Sequence, residues 1–126
     1  MFLNKDSIII DNVSMGNYLI SAEFGFHKLW GKDFGRNLVG SNSGTLIGIF
    51  PKITLNFRKL TRQEIELLAP ILDSAFQSTT YYDPNLKALN TMSTYSSDWV
   101  LQNKSIMDAN HKAEGFKWSV ISNNRR

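Results

Sequence analysis

Residues that carry catalysis or metal chemistry are few in this chain and widely scattered. Its two histidines are His27, within a glycine-rich stretch, and His111, within a polar one. Nucleophilic catalysis needs a base beside the nucleophile, and neither histidine belongs to a motif that would supply it; no G-x-S-x-G elbow occurs. Both read as solvated or hydrogen-bonded side chains. Zinc ligation through histidine calls for pairs such as H-x-x-x-H and calcium ligation for a D-x-D-x-D-G run, and the sequence has neither. The chain has no cysteine, which excludes a thiolate nucleophile, a disulfide framework and a Cys-based zinc site, and which fits a reducing compartment. Gly31-Lys32 lacks the flanking residues of a P-loop, and the four-residue spacing of Gly40, Gly44 and Gly48 falls outside any apolar helix. Asp83, Asp98 and Asp108 could meet in space as catalytic carboxylates, although a solvated surface accounts for them equally well. Asn12-Val13-Ser14 and Asn103-Lys104-Ser105 match the glycosylation pattern, which is too permissive to carry weight alone. The expectation is a protein without enzymatic activity, metal or cofactor.

The elements that must position whatever the chain does are organised around residues 53–85. Ile53, Leu55 and Phe57 alternate with Thr54, Asn56 and Arg58, the period of a strand with one wet face. Thr61 followed by Glu64 is a capping box, and Leu60 and Ile65 stand where a hydrophobic staple would fix the angle between strand and helix. Ile65, Leu68, Ala69, Leu72, Ala75 and Phe76, widened by Leu67 and Ile71, form the apolar face of a helix over about residues 62–75. Pro70 removes one helical hydrogen bond, so a kink or a break is expected there. Gln77 to Tyr82 returns as strand, and Asp83-Pro84-Asn85 has the chemistry of a tight turn.

At 126 residues and 42% hydrophobic, the chain reads as one domain, 1–126, with enough apolar side chains for a core. No run of about 18 apolar residues is present, so no membrane anchor is expected. The formal charge is +3, with cations scattered apart from Arg125-Arg126, which argues against the clustered patch of a nucleic-acid footprint. Ser7 to Ile10 reads as an edge strand followed by turns at Asp11-Asn12 and Met15-Gly16-Asn17, and Tyr18 to Phe24 as a second strand. From Gly25 to Gly44 the pattern dissolves into a glycine-rich loop, or an extended hairpin that becomes ordered against a neighbouring subunit. Thr45 to Phe50 reads as a strand with a bulge at Gly48, interrupted by Pro51. Leu86 to Tyr95 pairs back as a hairpin. Residues 102–114 are equally compatible with helix and loop, Phe116 to Ser122 closes as strand, and 123–126 is expected to be a mobile tail. The sum is a mainly β, α+β domain: six to eight strands in a sandwich or small barrel, with the helix packed on it.

The aromatics divide by setting. Phe57, Phe116 and Trp118 are simplest as core. Phe26, Trp30 and Phe34, interleaved with Lys28, Lys32 and Arg36, lie where packing within one subunit is harder to arrange; local burial and an intersubunit contact account for the aromatics equally, and these six residues are the candidate subunit interface.

The order of these elements carries a resemblance. Leu60-Thr61-Arg62-Gln63-Glu64, the late Pro70, Tyr82-Asp83-Pro84, a Ser/Thr-rich strand and Phe116-Lys117-Trp118 resemble a family of small tail proteins of bacteriophages that infect Gram-positive hosts. The likeness covers roughly residues 18–122, and it departs at the long 25–44 segment and at 102–114. By wider analogy the chain is similar to tail-tube and distal-tail proteins. The resemblance implies a structural virion protein made in the host cytoplasm. It implies a homo-oligomeric ring, as in the hexamers of those proteins, that contacts other tail proteins and lets DNA pass without sequence-specific contact. Subunits would join through sheet edges and the 25–44 segment. The alternative from another class is a small nucleic-acid-binding β-barrel module that uses exposed aromatics and scattered cations.

Overall fold

The computed structural model describes residues 7–31, 35–36, 42–103 and 112–126. Asp11 and Asn12 both hold positive φ (49° and 67°), the pair of left-handed residues that a two-residue turn needs. That turn joins β1 (Ile9–Ile10) to β2 (Val13–Ser14). A 3-10 turn over Gly16–Tyr18 leads into β3 (Leu19–Trp30), which is twelve residues long. Beyond it lie β4 (Gly35–Arg36) and β5 (Asn42–Ser43), paired as a small ribbon. The chain then runs through β6 (Leu46–Phe57), α1 (Arg62–Asp73), β7 (Phe76–Asp83), β8 (Ala88–Ser96) and β9 (Lys117–Ser122).

Among the described residues one seven-stranded antiparallel sheet forms, in the order β2-β1-β7-β8-β9-β6-β3. The architecture is therefore mainly β with a single helix, and the sheet remains open between β2 and β3. It is also rolled. Six strand spacings would set those edges about 29 Å apart in a flat sheet. Yet only Met15, Gly16, Asn17 and Tyr18 link Ser14 to Leu19, a reach of at most about 19 Å. The rings of Phe24 and Phe26 on β3 accordingly come within 6.4 Å of Tyr81 on β7, across three intervening strands.

The inside of the roll is the core. Ile53, Leu55 and Phe57 point inward from β6, Trp118 and Val120 from β9, Tyr81 from β7 and Ile10 from β1, joined by Met15. Phe57 stacks on Phe116 with centroids 4.8 Å apart. Polar side chains that the alternation carries inward are paired: the Thr79 and Thr94 hydroxyls lie 2.9 Å apart, and Thr94 also donates to the Gln77 carbonyl. Helix α1 lies across the end where β6 and β8 finish and β7 and β9 begin. Leu68, Ile71 and Leu72 are buried there. Gln77 on β7 donates to the carbonyls of Ile71 and Ser74, and Trp99 donates to Asp73.

Several expectations need correction. The helix runs unbroken through Pro70 and ends at Asp73. Only three helical residues follow Pro70, and the Ser74 hydroxyl returns to the Pro70 carbonyl at 2.7 Å. Phe76 begins β7 with its ring exposed, and Leu67 is exposed too, so the helix buries a narrower stripe than the spacing suggested. Pro51 does not interrupt a strand: β6 passes straight through it. The pairing with β9 stops at Lys52↔Ile121, so Pro51 has a partner strand on one side only and its lost N–H breaks no two-sided ladder. The register shift expected near Gly48 is present, between the pairs Leu29↔Gly48 and Trp30↔Leu46. Of the two alternatives for 25–44, loop or extended hairpin, residues 25–30 take the second: they are strand, paired with 46–52. Residues 104–111, with the undecided part of 102–114, lie outside the described residues.

The Thr61 hydroxyl accepts from the Glu64 N–H while Glu64 accepts from the Thr61 N–H. Thr61→Ala removes one arm of that box. We expect it to lower stability by about 1 kcal/mol, read as a smaller urea midpoint with an unchanged slope.

Candidate assembly surface

The candidate surface is built by the unequal lengths of neighbouring strands. β6 pairs with β3 along its whole length, but with β9 only from Lys52 to Asn56. Residues 26–30 and 46–51 therefore continue past the body of the sheet as a two-stranded arm. Near its tip Leu29, Trp30, Leu46 and Ile47 expose 48%, 39%, 41% and 44% of their surface. Exposed apolar side chains grouped on one projection make it the candidate contact surface.

A ribbon of two strands is marginal alone, and here residues 123–126 brace its root. The Arg126 N–H donates to the Ile49 carbonyl at 2.7 Å and the Arg125 guanidinium donates to the Ile47 carbonyl at 3.0 Å. Gly48 lies between those two carbonyls, and a Cβ there would sit 2.5 Å from the Cβ of Arg125. The tail expected to be mobile is thus held by specific contacts, among them Asn123 on Ser93 of β8.

Arg126 reaches further, to the end of β7. Its guanidinium donates to both carboxylate oxygens of Asp83, at 3.2 and 3.1 Å, and lies 5.6 Å from the centre of the Phe26 ring. Asp83 has no exposed surface. The Tyr81 hydroxyl donates to it at 2.9 Å, and the N–H groups of Asn85 and Leu86 donate from the turn through Pro84. Burial alone would push the Asp83 carboxyl up, but the Tyr81 hydroxyl, those two N–H groups and Arg126 together hold it below the usual carboxylate range. Tyr81 is pushed up, mainly by burial and further by its hydrogen bond to the Asp83 carboxylate.

At the other end of the roll a second ion pair fixes the entrance to β3. Arg58, directly after β6, donates to Glu64, to the Asn17 carbonyl and to the Lys59 carbonyl, and lies over the Tyr18 ring. The Arg58 hydrogen bond and the Thr61 N–H lower the Glu64 carboxyl to about 2.

The candidate interface residues are separated by this geometry. Lys28 and Trp30 are exposed on the arm. Phe26 is turned inward between Tyr81 and Arg126, which removes it from the surface a neighbour would touch. Arg36 falls in β4, opposite Asn42, and Lys32 and Phe34 lie outside the described residues. The residues read from the sequence as staple, cap, turn and core are held within the body: Leu60 and Trp118 are buried, Ile65 packs on the core, and Thr61, Glu64, Pro70, Asp83 and Pro84 stand at the cap, helix and turn just described. Of the possible catalytic carboxylates, Asp98 is exposed beyond the far end of β8 from Asp83, about 27 Å of strand away, and Asp108 lies outside the described residues. Exposed His27 sits on β3. Among the described residues no three His, Asp or Glu side chains stand together as metal ligands. Leu29, Leu46, Ile47 and Arg126 were not singled out from the sequence. Leu46 and Ile47 read as ordinary strand residues and Leu29 as part of the 25–44 segment, and nothing local ties Arg126 to a carboxylate 43 positions away.

No family model, curated protein or solved structure matches this chain.

Both depressed carboxyls make the fold acid-sensitive in a defined direction. Their contribution is complete above the unfolded carboxylate pKa, near 4, and is lost as pH falls through the folded values, about 2 for Glu64. The melting temperature should therefore hold from pH 7 to 5 and fall below about pH 4. Arg126→Met leaves the buried Asp83 without its ionic partner. We expect it to cost about 3 kcal/mol and to speed amide exchange at Ile47–Ile49.

Proposed function

We propose that this chain is a structural subunit of a bacteriophage tail, at the tube, the distal tail or the junction with the baseplate, which assembles into a ring around the DNA channel. The arm carries this reading. It projects from a braced root and exposes the apolar side chains of Leu29, Leu46 and Ile47. A contact between the arm of one copy and a different surface of the next is heterologous, and such contacts close into rings when the rotation permits. In the same reading the rolled sheet is a small barrel with α1 across one end, rigid enough to hold the arm at a fixed angle. The order of capping box, turn and closing strand supports the tail family, and no catalytic group among the described residues competes for the surface. DNA would pass through the ring without base-specific contact, and other tail proteins would stack on its faces.

Negative-stain microscopy and light scattering of the purified protein at high concentration test this directly. Rings of uniform diameter are expected, and replacing Trp30, Leu46 and Ile47 together by Ser should abolish them while leaving the circular dichroism spectrum intact. A strict monomer at millimolar concentration would overturn the proposal.

A further inference from the structure

β3 is an edge strand of unusual regularity. Among the described residues it pairs with β6 alone, so the backbone groups facing away from β6 have no strand beside them. Edges of this length are normally broken or covered. Here two register shifts occur, one where Ile20 is passed over between Leu19↔Phe57 and Ser21↔Asn56, the other where Ile47 is passed over between Leu29↔Gly48 and Trp30↔Leu46. Between them Ser21 to Leu29 runs as an uninterrupted ladder, and its middle residue is Gly25.

Symmetry then restricts how two such edges can meet. In an antiparallel pair, directly opposite residues point to the same face of the sheet, and a two-fold axis normal to the sheet keeps each residue on its own face. The axis must therefore pass between a residue and its own copy. With Gly25 at the axis the whole regular segment is used, and Glu23 of one copy lies opposite His27 of the other, twice. Phe24 then meets Phe26, Ala22 meets Lys28, and Ser21 meets Leu29. A centre at Glu23 or at Lys28 would instead set like charges face to face, which destabilises a cross-strand pair. Glu23 and His27 are both exposed on the side of the sheet away from Phe24 and Phe26. Gly25 lies between them with the His27 ring leaning over it, 3.0 Å from where a Cβ would stand.

We infer that a second copy of this chain is the partner of the β3 edge, the two strands pairing antiparallel about a two-fold axis at Gly25 so that Glu23 and His27 face each other across it. The inference does not rest on the tail reading. An isologous contact closes on two copies, whereas a ring needs a heterologous one, so dimers without rings, or rings without this contact, tell the two apart.

The lack of any cysteine in the chain gives a clean test. In the paired state Gly25→Cys places two sulfurs across the axis, within the Cα separation a disulfide accepts. Glu23→Cys or His27→Cys alone leaves its two copies about 14 Å apart, twice the limit. Mild oxidation should convert most of G25C to a reducible covalent dimer, and at least tenfold less of E23C or H27C. As a probe that leaves Gly25 untouched, S21C mixed with L29C should yield the mixed dimer well above either homodimer. Glu23→Lys should reduce the S21C/L29C yield about tenfold, and exchanging the pair (Glu23→His with His27→Glu) should restore it. G25C and the S21C/L29C mixture both remaining monomeric while folded would overturn the inference, as would equal cross-linking at all positions.

Discussion

Four residues between Ser14 and Leu19 hold together the two edges of a seven-stranded sheet, and most of the remaining structure follows from that restraint. A flat sheet cannot satisfy it. Once the sheet rolls, inward-facing positions on distant strands become neighbours, which is how Tyr81 on β7 comes to lie against Phe24 and Phe26 on β3. The apolar alternation of β6 and β9 then has a common interior to fill, and Ile53, Leu55, Phe57, Trp118 and Val120 fill it with almost no exposed surface. Arg58 protects the same restraint from outside. It joins the Asn17 carbonyl and the Tyr18 ring, on the link itself, to Glu64 in the first turn of the helix.

The two ends of the roll are finished by different physics. At the helical end closure is mostly apolar, with Leu68, Ile71 and Leu72 over the core and Gln77 satisfying the last carbonyls of α1. At the arm end it is ionic, with Asp83 at the centre. A buried carboxylate is expensive to desolvate, and a well-packed apolar cluster would often be as stable. What the ion pair adds is direction. Tyr81, two turn N–H groups and a guanidinium each approach Asp83 from a different segment, and the hydrogen bonds have no slack to let β7, the turn and the tail slide past one another. That fixes the root of the arm, through Arg126 on Ile49 and Phe26, more narrowly than interchangeable methyl groups would.

Local chemistry was legible in the sequence and long-range chemistry was not. The capping box at Thr61 and Glu64, the strand Ile53 to Phe57, the turn at Asp83 and the closing strand through Trp118 each depend on residues within a few positions, and each stands where spacing placed it. The mainly β class with one helix followed from their sum. The failures share a cause. Glycine content left loop and extended hairpin both open at 25–44, whereas Phe26, His27 and Lys28 are held as strand by pairing with Pro51, Phe50 and Ile49, about 21 to 25 positions away. Pro51 looked like an interruption because the sequence does not say where β9 stops. The tail looked mobile because Arg126 is an ordinary terminal cation until the fold brings Asp83 to it.

That contrast bears on where function sits. The residues whose positions the sequence betrayed, at the cap, the turn and the core strands, are spent on holding the body together. The exposed arm and the β3 edge are defined by absences instead: β9 ends at Lys52↔Ile121 before it can cover residues 46–51, and among the described residues no strand lies beyond Leu19–Trp30. Both are places where a rolled sheet with strands of equal length would have had nothing to offer a partner. Unequal strand length in a rolled sheet is thus the structural source of the two candidate contact surfaces, and the buried Asp83–Arg126 pair braces the longer strands where their neighbours stop.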